Sequence, residues 1–186
     1  MRLKVFIGWD SREDIAFEVL KHSILKHNPD VEIYALKQHE LRAQGVYQRS
    51  VDTAGSTEFT MTRFLVPYLS GYEGYSLFMD CDMVLTGDIT GIMEEADLNR
   101  AVNCVKHNYD EIGQYLTETK MDGKPQATYP RKNWSSVMLF NNKLCESLTP
   151  EAVNHAGPAW LHRMNWAEND IGELHHRWNY LAGYYR

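Results

Sequence analysis

An α/β domain with a mainly parallel, Rossmann-type sheet flanked by helices is what this chain predicts, and three observations carry that reading. Short apolar runs rich in β-branched residues alternate with stretches of helical periodicity. The first strand–helix–strand unit is long enough for a crossover between parallel strands. Of the 186 residues, 44% are hydrophobic, which suffices for one core, so residues 1–186 are expected to form a single domain.

The elements follow in order. "RLKVFIG" reads as a buried strand, and "WDSRED" breaks it. "DIAFEVLKHSILKHN" places Ile15, Val19, Leu20, Ile24 and Leu25 at helical spacing, with acids in its first turn and Lys26 in its last, the polarity that the helix dipole favours. Pro29 closes it and "VEIYAL" is the second strand. Residues 37–56 are polar and read as loop. "EFTMTRFLVPYLSG" reads as a helix that Pro67 kinks or shortens. "YSLFMDCDMVL" is the third strand, "GDITGIMEEADL" a short helix and turn, and "RAVNCVKH" the fourth strand. Residues 108–134 have weak periodicity and read as a long loop. "SSVMLFNN" is the fifth strand, and "LTPEAVNHA" starts a helix with Thr149 as cap and Pro150 in the first turn. "GELHHRWNYLAG" is a final short strand and turn.

Charge and cysteines bound the function. The net charge is −6, so there is no basic footprint for nucleic acid. No segment approaches transmembrane length, and the first apolar run is far too short for a signal peptide. Three scattered cysteines without a C-x-x-C pair fit reduced thiols, so a cytoplasmic location is expected. The five Trp and eleven Tyr are read as core, with stacking platforms for flat ligands as the alternative.

The informative segment is the third strand, where two acids, Asp80 and Asp82, end an apolar run. In an extended chain they share one face, with Cα atoms about 6.5 Å apart, and Cys81 points the other way. Ligands of such sheets sit beyond the carboxyl ends of the strands. Two close carboxylates repel unless a cation lies between them, and hard divalent ions prefer oxygen ligands shared with phosphates. Mn²⁺ or Mg²⁺ is therefore the expected cofactor. Two chemistries compete for it. One is phosphoryl transfer, because "DCDMVLTGD" is close to the opening motif of haloacid-dehalogenase phosphatases. That reading needs a later acid pair and a Lys, and the chain has only Glu168 and Asp170 as a loose pair. The other is glycosyl transfer, in which a cation neutralises a diphosphate leaving group.

"VFIGWDSRE", "STEFTMTRFLVPYL", "LFMDCDMVL" and "NWSSVMLFN", in this order, resemble the GT-A glycosyltransferases, and among them the family-eight-like branch that includes glycogenin and bacterial galactosyltransferases. The resemblance implies a metal-dependent, retaining hexosyltransferase with a nucleoside diphosphate sugar as donor, UDP-glucose or UDP-galactose, and an unassigned sugar, lipid or protein acceptor. It places Gly8, Trp9 and Asp10 at the nucleoside and Arg63 at the donor sugar and diphosphate. Asp80 falls at the donor and the metal, and Asp82 is the main metal ligand. Trp134, Ser135 and Ser136 fall near the donor sugar, where the family usually has Asn-x-Gly. Of Glu168, Asn169 and Asp170, Asp170 is the expected acid near the reacting carbon. The family also supplies a C-terminal His to the metal in a Gly- and Trp-rich motif. That motif is not among these residues, and His175 and His176 are the candidate substitutes. The second reading is a nucleotide-sugar-binding protein with little turnover.

Overall fold

A computed structural model describes residues 3–50, 57–108, 131–183 and 185. Six strands form one sheet: β1 (Lys4–Trp9), β2 (Glu32–Lys37), β3 (Tyr75–Met79), β4 (Val102–Cys104), β5 (Val137–Asn141) and β6 (Ile171–Glu173). Their spatial order is β2-β1-β3-β5-β4-β6. β1 is parallel to both β2 and β3, and β4 is parallel to β6. β5 runs antiparallel to β3 and β4, so the mainly parallel sheet is a mixed one. The expected α/β organisation is present, with helices flanking this sheet.

The centre of the sheet is apolar on both sides. Val5 and Ile7 of β1, Leu77 and Phe78 of β3, and Val137 to Phe140 of β5 are essentially inaccessible to solvent, as expected for strands covered on both faces. Trp166 caps this core, its ring 6.0 Å from that of Phe140. At the edge, Tyr34 of β2 remains 41% exposed and stacks on Phe6 at 4.9 Å.

Helix α1 (Asp14–His27) follows the expected range, but its buried face is Phe17, Leu20 and Ile24. Ile15, Val19 and Leu25, which share the helical spacing of the apolar residues, are 82%, 47% and 36% exposed. Residues read as loop contain a helix, α2 (Gln38–Ala43); residues 51–56 lie outside the described set. The helix expected around Arg63 is a 3-10 turn, Thr62–Leu65, running into α3 (Val66–Leu69). Pro67 sits in the first turn of α3, where its missing N–H costs nothing, so it starts that helix instead of kinking it. A short α4 (Ile92–Glu95) precedes β4. In α5 (Pro150–His155) the Thr149 side chain accepts from the Ala152 N–H at 3.0 Å, the cap read from the sequence. Helix α6 (Pro158–His162) and a turn over Asn165–Ala167 lead to β6.

One difference matters for the site. β3 ends at Met79, and the chain bends at Cys81–Asp82. Asp80 and Asp82 therefore do not share one face of a continuous strand. Most of the long loop expected over 108–134 lies outside the described residues.

Candidate active site

Register alone brings three segments to one edge of the sheet. Ile7 pairs with Met79, so Gly8 to Asp10 leave β1 beside Asp80 to Asp82. Val137 pairs with Met79 from the other side, so Ser135 and Ser136 enter β5 at the same level. The ladder continues one step past the strands, with the Asp80 N–H donating to the Ser136 carbonyl at 2.9 Å. Asn133 adopts φ 61°, a left-handed conformation that Asn tolerates. Its carbonyl accepts from Asn179 Nδ2 at 3.0 Å.

Arg63 holds this corner together. It is buried, and its Nη1 lies 2.8 Å from both the Ser135 carbonyl and Asp80 Oδ1. Nε donates to the Thr60 carbonyl at 3.1 Å. The guanidinium carbon is 5.3 and 5.0 Å from the rings of Phe59 and Phe78, which adds cation–π attraction in a desolvated setting. Arg63 thus ties the 60–63 turn to the start of β5 and to the end of β3. The contact with Asp80 is a charge pair without hydrogen-bond alignment, since Asp80 Oδ1 is buried and has no hydrogen-bond partner among the described residues. Burial pushes the Asp80 carboxyl up to about 6 against the opposing pull of Arg63, and the Asp82 charge adds to the rise.

Asp82 differs in every respect. It is exposed and makes no hydrogen bond or ion pair with a described residue. Between the two acids, Cys81 is fully buried and its thiol donates to Glu13 Oε2 at 3.3 Å. Burial and these three carboxylates hold the thiol far above its usual range, so it is inert. The residues here that could hold a divalent cation are Asp82, whose carboxylate is uncommitted, and Asp80, whose charge is opposed by its burial. Among the described residues, no three His, Cys, Asp or Glu side chains form a ready-made metal cluster. Two protein carboxylates with ligand oxygens is the arrangement usual for Mg²⁺-type ions.

Asp10 is inaccessible to solvent and its carboxylate is saturated. Oδ1 accepts from the Arg12 N–H at 2.9 Å and Nε at 3.0 Å, and Oδ2 from Arg12 Nη2 at 2.8 Å and the Glu58 N–H at 3.0 Å. The Arg12 side chain chiefly holds this carboxyl down, at about 2. All four acceptor positions are used to clamp the loop after β1 to the turn that carries Arg63. Gly8 serves the same junction, because a Cβ there would come within 2.4 Å of the Phe59 ring. Trp9 is half-buried, donates to Asp14 Oδ1 at 2.8 Å and meets His39 edge-on.

Ser135 is buried, and its hydroxyl lies 3.1 Å from Nδ1 of His162, at the end of α6. Trp134 is half-buried beneath the Arg131 guanidinium, with its ring 5.5 Å from that cation. Neither His162 nor Glu13 was legible as a site residue: His162 stands in "PAWLHRMNW" without a motif, and Glu13 reads as an ordinary first-turn acid.

The structure does not bring Asp170 to this corner. Asp170 precedes β6, and β6 runs parallel to β4 from Val102, which pairs with Phe140 near the far end of β5. Asp170 is therefore at the opposite end of the strands from Asp80, where it accepts from Arg100 Nη1 at 3.2 Å and the Ala101 N–H at 3.0 Å. His175 and His176, just past β6, lie at the same edge as Asp80 but three strands away, about 14 Å at normal strand spacing.

No family profile matches the chain. Protein CDI of Arabidopsis thaliana is 42% identical over 187 residues, spanning 98% of this chain and 71% of that protein. Among solved structures, glycosyltransferase GlyE of Streptococcus pneumoniae TIGR4 superposes with a TM-score of 0.60 at 19% identity, over 98% of this chain and 47% of GlyE. Mouse xyloside xylosyltransferase 1 gives 0.56 at 12% identity, over 96% of this chain and 87% of that one. Galactosyltransferase LgtC with donor and acceptor sugar analogues gives 0.52 at 12%, over 94% and 74%. The chain spans about half the length of GlyE. These likenesses identify the fold as GT-A. No helix among the described residues is long and apolar enough to cross a membrane.

Proposed function

The chain belongs to the same family as Protein CDI of Arabidopsis thaliana; from its GT-A fold and the motifs around Asp10, Arg63, Asp80 and Ser135 we propose that it is a glycosyltransferase of the family-eight-like branch. It moves a hexose from UDP-glucose or UDP-galactose to an acceptor, with Mn²⁺ or Mg²⁺ and with retention at the anomeric carbon. The observation that carries this reading is the pairing of an uncommitted Asp82 with an Asp80 held by Arg63, at the edge where β1, β3 and β5 meet.

In this reading Asp82 would be the main ligand of the cation, with Asp80 as the second. The bound ion supplies Lewis-acid neutralisation of the departing diphosphate. Arg63 adds a fixed positive charge beside that leaving group, and its burial means that little reorganisation is needed as charge develops. Gly8, Trp9 and the clamp made by Asp10 shape the nucleoside pocket. Ser135, oriented by His162, and Ser136 and Trp134 face the donor sugar. Asp170, at the far end of the strands, holds the β4–β6 junction and takes no part in the chemistry. With no carboxylate assigned as nucleophile, acceptor attack on the face that the leaving phosphate vacates is the route to retention.

The test is hydrolysis of UDP-glucose and UDP-galactose with Mn²⁺. Turnover with either donor, abolished by Asp82→Ala, supports the proposal. Phosphate release from p-nitrophenyl phosphate, lost in Asp80→Asn, would support phosphoryl transfer and defeat it.

A further inference from the structure

Helix α1 exposes apolar residues on the side away from its buried face. Phe17, Leu20 and Ile24 point into the core. At about 100° per residue, Ile15, Val19, His22 and Lys26 fall within an arc of about 60° on the side about 160° away from them. Ile15 is 82% and Val19 47% exposed, and beside them Val84, on the segment following Asp82, is 64% exposed. Ile15, Val19 and Val84 line one open groove between α1 and residues 84–86. β-branched residues lower helix propensity, so two of them on the solvent side of a helix are unfavourable unless something covers them. The spacing of 15, 19, 22 and 26 is four, three, four, the stripe of a helix that packs against another helix.

The charges on this stripe choose the partner. Asp14 and Glu18 flank its beginning, and Lys26 and His27 its end. Lys26 has no ion-pair partner among the described residues, and Glu18 reaches only Lys21, at 3.4 Å. In a parallel pair of such helices, like charges would face one another. In an antiparallel pair centred between Val19 and His22, Ile15 lies under the aliphatic stem of the other Lys26, whose ammonium meets Glu18 and Asp14. Val19 packs on the other His22. The face is complementary to itself under a two-fold axis.

We propose that α1 is the interface of an antiparallel homodimer, with a second copy of this chain covering Ile15 and Val19. A helix of 14 residues, about 21 Å long, gives a small interface, so the association is concentration-dependent.

Sedimentation velocity of the purified chain over rising concentration tests this. The wild type is expected to shift from monomer to dimer, and added salt to weaken the dimer. Ile15→Lys removes association. Glu18→Lys alone and Lys26→Glu alone each weaken it about tenfold or more, and an equimolar mixture of these two variants regains dimer, because each then faces its opposite. All these positions are exposed, and unchanged thermal unfolding of each variant excludes loss of fold. A chain that stays monomeric at the highest soluble concentration overturns the proposal. So does a dimer indifferent to Ile15→Lys, or one that the mixture of charge variants does not restore.

Discussion

Arg63 Nη1 stands 2.8 Å from Asp80 Oδ1 with both side chains largely withdrawn from water, at 7% and 17% exposure. The two members of this pair are not equivalent. The guanidinium has backbone carbonyls of Thr60 and Ser135 to hold it in place, whereas the carboxylate's charge, opposed by burial, is favoured chiefly by the guanidinium.

Removing the arginine is therefore expected to cost far more than neutralising the acid. Arg63→Met leaves Asp80 without its opposing charge and the Thr60 and Ser135 carbonyls without their donor, a loss of about 3–5 kcal/mol. Asp80→Asn keeps the guanidinium hydrogen-bonded and costs less than about 1.5 kcal/mol. The double variant should be more stable than Arg63→Met alone. Urea unfolding of the three proteins measures this, and equal costs for the two single variants would contradict it.

Asp82 is the converse case. Asp82→Ala should leave the unfolding free energy within about 0.5 kcal/mol of wild type, because no described residue bonds to it. The same variant should abolish the Mn²⁺-dependent stabilisation by UDP, which for a ligand at 100 times its dissociation constant is about 2.7 kcal/mol. Thermal shift with UDP, with Mn²⁺ and with both separates the two effects. A stabilisation by UDP and Mn²⁺ that persists in the variant would remove Asp82 from the metal site.

Two buried groups set opposing pH dependences. The Asn179 amide donates to Nε2 of His107 at 3.0 Å, and Nδ1 lies 2.6 Å from the Tyr185 hydroxyl. Burial lowers this imidazole to about 4. Its contribution is fully present above the unfolded value of 6.5 and is lost as pH falls from 6.5 to 4. Asp80 is raised to about 6, so its contribution is fully present below 3.8 and is lost as pH rises from 3.8 to 6. Each is on the order of 3 kcal/mol, and in metal-free buffer they oppose one another between pH 4 and 6. Asp80→Asn should lose stability on acidification across that range, and His107→Gln should gain it. Slopes of the same sign in the two variants would show that one of these groups is not buried as described.

Gly8→Ala tests the junction between β1 and the arginine-bearing turn. Its Cβ would lie 2.4 Å from a Phe59 ring that is itself only 2% exposed, so the ring must move. Overpacking of this kind costs about 1–3 kcal/mol. Because Phe59 also backs the Arg63 guanidinium, donor binding should weaken more than stability alone accounts for. Calorimetric titration with UDP and Mn²⁺ measures that, and unchanged affinity would uncouple Gly8 from the site.

Hydrophobic patterning by itself determined the alternation of strands and helices, the end of the first strand at "WD", and the arrival of two acids at the end of the third. Those features are local: a run of Val, Ile and Phe buries wherever it pairs, and acids cannot continue it into the core. The Thr149 cap was legible for the same reason, since its hydrogen bond closes within three residues. What only tertiary structure decided depends on contacts between distant segments. The antiparallel direction of β5 follows from its partners, not its composition. Ile15 and Val19 share the apolar character of Phe17 and Leu20, and only the packing of α1 against the sheet tells the faces apart. Asp10 and Arg63 have the chemistry of ligand-binding residues, yet the fold commits one to Arg12 and Glu58 and the other to Asp80 and Ser135. Asp170 is close in sequence to "WAEN", but strand direction carries it to the far end of the sheet. Charge and periodicity are properties of neighbours in the chain, whereas commitment of a polar side chain is a property of neighbours in space.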